Sequence, residues 1–119
     1  DLHPLAVAIE AHSLIERVEQ TLRWIHAKSD ALEARLAEQG RPRPVSRALL
    51  LRSAPSTRQA VRLAEDLFAT AFPARMADAV SALKDPARGW PGAAVIWMSV
   101  SGGEARLLSY PPPGIRLGR

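Results

Sequence analysis

Hydrophobic positions in the first half of the chain form two strand-like runs separated by one long helical pattern. Residues 4–9 are almost continuously apolar and include β-branched members, which predicts a buried strand over 4–11. Residues 46–53 have the same character and predict a second strand. Between them, a three-four spacing predicts one long helix over 13–39, with apolar-stripe positions Ile15, Val18, Leu22, Ile25, Ser29, Leu32 and Leu36. Such a strand, helix, strand unit is parallel and right-handed in most proteins.

The helices carry start and stop signals in the sequence. Ser13 and Glu16 fit a capping box, in which a hydroxyl and a carboxylate each satisfy a backbone N–H, and Gly40 is a natural stop. Ser56 and Gln59 fit a second box before the next helical pattern.

The apolar stripe of the long helix fits burial against the domain's own sheet better than a coiled-coil seam between two copies. We therefore expect this helix to cover the two strands.

The second half of the chain has the pattern of helices followed by a hairpin. Apolar spacing predicts helices over 56–72 and 74–84, and two strand patterns around a glycine turn predict an antiparallel hairpin over 93–110. The proline-rich residues 111–119 are expected to run extended over the surface. The expected fold class is α/β, a small sheet with a βαβ crossover and a C-terminal hairpin, with helices packed on the sheet. We expect 1–119 to form one domain of a longer chain, because a buried-type strand follows almost directly on a first residue that is not methionine.

Composition narrows the classes of function. The chain has no cysteine, which excludes disulfide staples, thiol catalysis and cysteine-built zinc sites. Its apolar runs are too short to cross a bilayer and it shows no signal peptide, so we expect a cytoplasmic protein with no membrane partner.

The net charge is +4, and only Lys28 and Lys84 of the 16 basic residues are lysines. The arginines are spread along the chain, which is typical of high-GC codon usage; a polyanion partner is the second explanation.

Glu10 is the residue most relevant to chemistry, because a carboxylate at the end of a buried strand needs a partner. One interpretation is structural: Glu10 pairs with an arginine or caps a helix. The other is a divalent-metal ligand, with Asp1 or an absent upstream acid completing an oxygen ligand set. Glu10 and His12 are thus the catalytic candidates, and Asp1 and Glu10 the metal candidates. The structural interpretation is favoured, because the lysine that would orient or activate a water molecule is not at position 12.

Other chemistry-bearing patterns have ordinary structural explanations. His12 and His26 do not share the spacing of a zinc-binding helix. The serines lie in no Gly-x-Ser-x-Gly elbow, and the glycines at 102–103 predict a hairpin turn rather than a phosphate-binding loop. Trp90, in a Trp-Pro-Gly turn, either closes the end of the core or lines a ligand pocket, and the first is the simpler expectation.

Five segments spread over most of the length of the chain resemble those of a known family. They are VAIEAH at 7–12, RVEQTLRW at 17–24 with Lys28 after it, ALLLRS at 48–53, WPGAAVIW at 90–97 and PPPGIR at 111–116. In these segments the chain resembles the C-terminal domains of bacterial Xre-type helix-turn-helix transcriptional regulators that carry a restriction-endonuclease-like (PD-D/ExK) module.

The resemblance implies a restriction-endonuclease-like core with Glu10 as the motif glutamate, and an upstream DNA-binding head. The motif lysine is replaced by His12, and the acid of the preceding strand is Asp1 or absent, so nuclease activity is not expected. We therefore expect a non-catalytic regulatory or dimerisation module that binds no cofactor. It would form a homodimer through the long helix or an edge strand, and reach DNA through the missing upstream domain. The alternatives are a metal-dependent nuclease using Mg²⁺ and a protein-interaction domain unrelated to DNA.

Overall fold

Four strands form one mixed sheet in the computed structural model, which describes residues 5–85 and 87–117. The strands are β1 (Ala6–His12), β2 (Val45–Arg52), β3 (Ala94–Ser101) and β4 (Glu104–Leu107). The helices are α1 (Val18–Glu38), α2 (Pro55–Leu63), α3 (Glu65–Ala71) and α4 (Met76–Lys84). The sheet order is β1-β2-β3-β4. None of the helices in these described residues is long and apolar enough to span a membrane.

The α/β fold class and both predicted supersecondary units are confirmed. β1 and β2 are parallel and are joined by α1, as expected for a βαβ crossover. β3 and β4 form the antiparallel hairpin around Gly102 and Gly103, whose φ angles of +56° and +83° favour glycine. A relationship that the sequence did not reveal is that β3 also lies parallel to β2, so the first three strands form a parallel sheet.

The long helix begins later than predicted, at Val18 instead of residue 13. β1 continues through His12, which pairs with Leu51, so the chain still has to turn away from the sheet after Ser13. The Ser13 capping box is therefore wrong: Arg17 precedes the helix and makes no side-chain cap bond. At the other end, α1 stops at Glu38 before Gly40, as the sequence indicated.

The predicted helix over 56–72 is two helices, because the backbone at Ala64 (φ −121°, ψ 34°) leaves the helical conformation. Its start is capped by Thr57 and not by the predicted Ser56 box. The Ala54 N–H donates to the Thr57 hydroxyl at 3.1 Å, and this hydroxyl also donates to the Arg52 carbonyl. The fully buried Thr57 side chain thus fastens the end of β2 to the start of α2.

The start of α4, the end of β4 and the path of the tail also differ from the prediction. α4 starts at Met76 and not at residue 74, and β4 ends at Leu107, short of the predicted residue 110. The tail is not a surface extension over its described part: the Ile115 N–H donates to the Pro112 carbonyl at 3.1 Å, and Ile115 is buried. Gly114, at φ +85°, permits this turn, and burial of the isoleucine side chain favours it. Residues 118–119 lie outside the described part.

The hydrophobic core lies between the sheet and its helices. Leu49, Leu51 and Trp97 share one face of the sheet, because Leu51 is paired with Trp97 in the β2–β3 register, and all three are at most 1% exposed. From α1, Ile25 is completely buried, and the helix packs against β1 and β2. The expected burial of its stripe against the domain's own sheet is therefore confirmed. Phe68 and other buried side chains between the start of α2 and the end of α4 complete the core: Val61, Phe72, Met76, Ala79 and Val80.

Candidate functional site at the end of β1

Glu10 and His12 point to the same face of β1, because they are two residues apart along a strand. α1 crosses this face and presents Trp24 and Lys28, which are one helical turn apart. We call these four residues the Glu10 cluster. Its members come from the end of a strand and from the helix that immediately follows it, so the βαβ crossover itself brings them together.

Lys28 joins the helix to the strand through two hydrogen bonds. Its Nζ atom donates to Glu10 Oε1 at 3.0 Å and to the Ile9 backbone carbonyl at 2.8 Å. The partner of Glu10 is therefore a lysine, where the structural interpretation expected an arginine or a helix cap. The Glu10 and Lys28 side chains are 24% and 49% exposed, so the charge pair is partly solvated and contributes about 0–1 kcal/mol.

His12 is held by stacking. Its imidazole lies against the Trp24 indole, with ring centroids 6.1 Å apart and planes 12° from parallel. Its Nε2 atom lies 3.6 Å from Glu10 Oε2, which is too far for a hydrogen bond, and this buried nitrogen has no hydrogen-bond partner among the described residues. Trp24 is half-exposed, whereas the His12 side chain is only 16% exposed. His12, at the position where the resemblance would place a motif lysine, is therefore a packed aromatic ring.

A second polar contact lies beneath α1, beside the Glu10 cluster. Arg47 pairs with Ala8 in the sheet register and so points to the same face as Glu10. Its Nη1 atom donates to Ser29 Oγ at 3.5 Å, while its Nε atom is buried without a partner in the described structure. The sequence signal for this contact was an arginine inside an apolar strand run, facing a helix whose apolar stripe includes a serine.

The Glu10 cluster has few atoms that could hold a metal ion. The described residues contain no group of three or more His, Asp or Glu side chains suited to a metal. Glu10 and His12 offer a carboxylate and an imidazole, whereas Mg²⁺ prefers near-octahedral oxygen coordination. Lys28 already binds one of the two carboxylate oxygens. The third candidate, Asp1, lies outside the described residues. The described residues of the Glu10 cluster thus do not fit a Mg²⁺ site.

Sequence reasoning missed the position of Lys28. Its helix was correctly predicted, but Glu10 and Lys28 are 18 positions apart, so the sequence does not reveal their contact. A usable signal was the spacing of Trp24 and Lys28, which share one helix face beside the buried Ile25 and Ser29. His26 is exposed on α1, and His3 lies outside the described residues.

No family model, curated protein or solved structure matches this chain. The α/β sheet is therefore established by the chain's own structure, and the restriction-endonuclease-like assignment stays a hypothesis based on the resemblance.

Proposed function

We propose that the domain is a non-catalytic regulatory or dimerisation module of a bacterial DNA-binding transcriptional regulator, with a restriction-endonuclease-like core and a degenerate site. The observation that carries the non-catalytic part is the hydrogen bond between Lys28 Nζ and Glu10 Oε1. The same ammonium also binds the Ile9 carbonyl, and His12 stacks on Trp24. Lys28 and Glu10 are thus engaged with each other and with the backbone of β1.

Catalysis of phosphodiester cleavage by a divalent metal would need more oxygen ligands than the Glu10 cluster supplies. Mg²⁺ at nuclease sites is held by one or more carboxylates together with substrate phosphates, and activates or orients a water molecule. Glu10 is the one carboxylate in this cluster, and its charge is balanced by Lys28. A structural ion pair between β1 and α1 accounts for both residues without a metal.

The regulatory role draws support from charge and from the sheet edges. The net charge of +4 is compatible with a protein that works next to DNA, and β1 and β4 lie at the two ends of the sheet. We propose a homodimer through α1 or an edge strand, with DNA contacted by an upstream domain. Light scattering on the 12.9 kDa chain at micromolar concentration is expected to give twice this mass, and a monomer would contradict the dimer.

The link to DNA is tested separately on the full-length protein. The expected result is that deletion of this domain lowers affinity for an operator fragment, because a dimer holds two DNA-binding heads together. An unchanged affinity would contradict the regulatory role. A full-length sequence without a DNA-binding head would favour a protein-interaction domain instead.

One observation favours a second candidate function, a divergent metal-dependent nuclease. α1 brings a lysine ammonium to the motif glutamate, so an acid and a lysine do meet at the end of β1. This candidate predicts DNA cleavage with Mg²⁺ or Mn²⁺ that is lost in both Glu10→Gln and Lys28→Met. Inactivity of the wild-type chain on several DNA substrates with both metals would dismiss it.

A further inference from the structure

β1 is an edge strand whose outer side offers backbone groups for pairing. It pairs with β2 on one side and stands at the end of the sheet order in the described structure. The Ala6 N–H donates to the Pro44 carbonyl and so points toward β2. Because backbone groups alternate along a strand, the N–H and C=O groups of Val7, Ile9 and Ala11 point away from the sheet. Exposed edges of this kind are templates for pairing with another chain.

The central outward carbonyl of this edge is already bound. Lys28 Nζ donates to the Ile9 oxygen at 2.8 Å, and Glu10 Oε1 holds the same ammonium at 3.0 Å. The lysine therefore reaches from α1 to the outer side of β1. An open groove of about 340 Å³ runs along this edge between β1 and α1, with Lys28 as part of its wall.

A second copy of the same strand fits this edge in antiparallel orientation. With a two-fold axis at Ile9, the two Ile9 residues would face each other as a hydrogen-bonded pair, and Val7 would face Ala11 of the other copy. Glu10 would face Ala8, so no like charges would be opposed. Leu5 and Ile9, 38% and 43% exposed, would then gain apolar neighbours. This pairing requires the Ile9 carbonyl that Lys28 occupies.

We propose that Lys28 closes the β1 edge, and that loss of its ammonium opens this edge to antiparallel pairing with β1 of a second copy. The native dimer proposed above then uses a different surface. The inference rests only on the Lys28 contacts and the strand order, and it holds whether or not the protein works on DNA.

Lysine suits the contacts at position 28 better than arginine would. Lysine carries a compact ammonium with three donors, two of which are used here on two oxygens at different angles. Arginine presents a planar fork suited to bidentate contact with one carboxylate. Fourteen of the 16 basic residues in this chain are arginine, yet position 28 is one of the two lysines.

The test measures self-association by sedimentation velocity for the wild type, Lys28→Met and Lys84→Met. Methionine keeps the length and apolar stem of lysine without its donors, and Lys84, exposed at the end of α4, is the matched control. Edge pairing of two wild-type copies would break the Lys28 contact with the Ile9 carbonyl in each copy, whereas Lys28→Met has no such contact to break. We therefore expect Lys28→Met to self-associate about tenfold more tightly than the wild type. Lys84→Met should match the wild type. Equal association of the wild type and Lys28→Met would overturn the proposal.

The substitution Ala11→Pro tests whether the association of Lys28→Met uses the β1 edge. Ala11 is exposed and its N–H points outward, so proline removes a donor from the edge and leaves the ladder with β2 intact. Added to Lys28→Met, it should restore wild-type association; association that persists places the contact elsewhere and overturns the proposal. In the wild-type background it should change nothing. If Ala11→Pro alone dissociates a wild-type dimer, that dimer uses the β1 edge and the edge is open in the wild type. This result would overturn the closure by Lys28 but would support the proposed homodimer.

Amine acetylation of the wild-type chain tests closure without any substitution. Lys28 is expected to react more slowly than Lys84, as followed by peptide mass spectrometry, because its ammonium is held by two acceptors. Equal rates would show that the edge is not closed by Lys28, even if Lys28→Met failed to fold.

Discussion

The indole N–H of Trp90 donates a hydrogen bond to the Ser46 hydroxyl at 2.9 Å, between residues 44 positions apart. It ties the segment before β3 to the start of β2. Trp90 is half-buried and packs against the core, as the simpler sequence interpretation expected. We predict that Trp90→Phe lowers the free energy of unfolding by about 1 kcal/mol or more, through the lost hydrogen bond and lost ring area.

A double-mutant cycle isolates the bond itself. Ser46→Ala is expected to cost about 1 kcal/mol, and the Trp90→Phe/Ser46→Ala pair less than the sum of the two, as measured by urea unfolding. Strict additivity would show that the two side chains do not interact in solution.

Thr57 is predicted to be the most sensitive polar residue of the fold. Its buried hydroxyl accepts from the Ala54 N–H and lies within bonding distance of the Arg52 and Ala54 carbonyls. Thr57→Val keeps the shape but leaves these backbone groups without this partner, so we expect a loss of about 2–3 kcal/mol in the free energy of unfolding. Thr57→Ser keeps the hydroxyl and is expected to cost only about 1 kcal/mol. Equal costs for the two variants in chemical denaturation would contradict the capping role.

Substitution of Phe68 tests whether this side chain lies in the hydrophobic core. It is fully buried, and its ring stacks on that of Phe72 with centroids 6.4 Å apart. Phe68→Ala is expected to cost about 3–5 kcal/mol, because it removes a large apolar ring and leaves a cavity. Leu63→Ala is the matched control: this leucine is 80% exposed, so the expected change is within about 0.5 kcal/mol. Similar losses for both variants in urea unfolding would contradict the burial of Phe68 in the core.

Local patterns were enough to predict the strands and the crossover. Leu49 and Leu51 lie in a continuous apolar run because the parallel strand β2 is covered on both edges and packed against helices, which leaves few polar positions. Ile25 follows the helical spacing because only one stripe of α1 meets the sheet. Both patterns are direct consequences of burial, so burial could be inferred from them.

The helix break and the contacts of the Glu10 cluster could not be inferred in this way. At Ala64 the apolar spacing continues from Val61 to Phe68, and no glycine or proline marks the change in backbone conformation. The Lys28 contact depends on how α1 is rotated over β1, and this rotation is set by the packing of the whole helix. The capping box predicted at Ser13 does not form, because β1 pairs with β2 for one residue more than predicted, up to His12. The helix can begin only after the chain has left the sheet.

The central claim is that Lys28 holds Glu10 as a structural pair, so that Glu10 is not a metal ligand. The most direct test is the free energy of unfolding of the wild type and Glu10→Gln, measured in EDTA and in millimolar Mn²⁺. We predict that Mn²⁺ leaves the wild type unchanged, and that Glu10→Gln costs up to about 1 kcal/mol equally in both conditions. A Mn²⁺-dependent stabilisation of the wild type that disappears in Glu10→Gln would contradict the claim, because only a ligand that binds the folded state stabilises it.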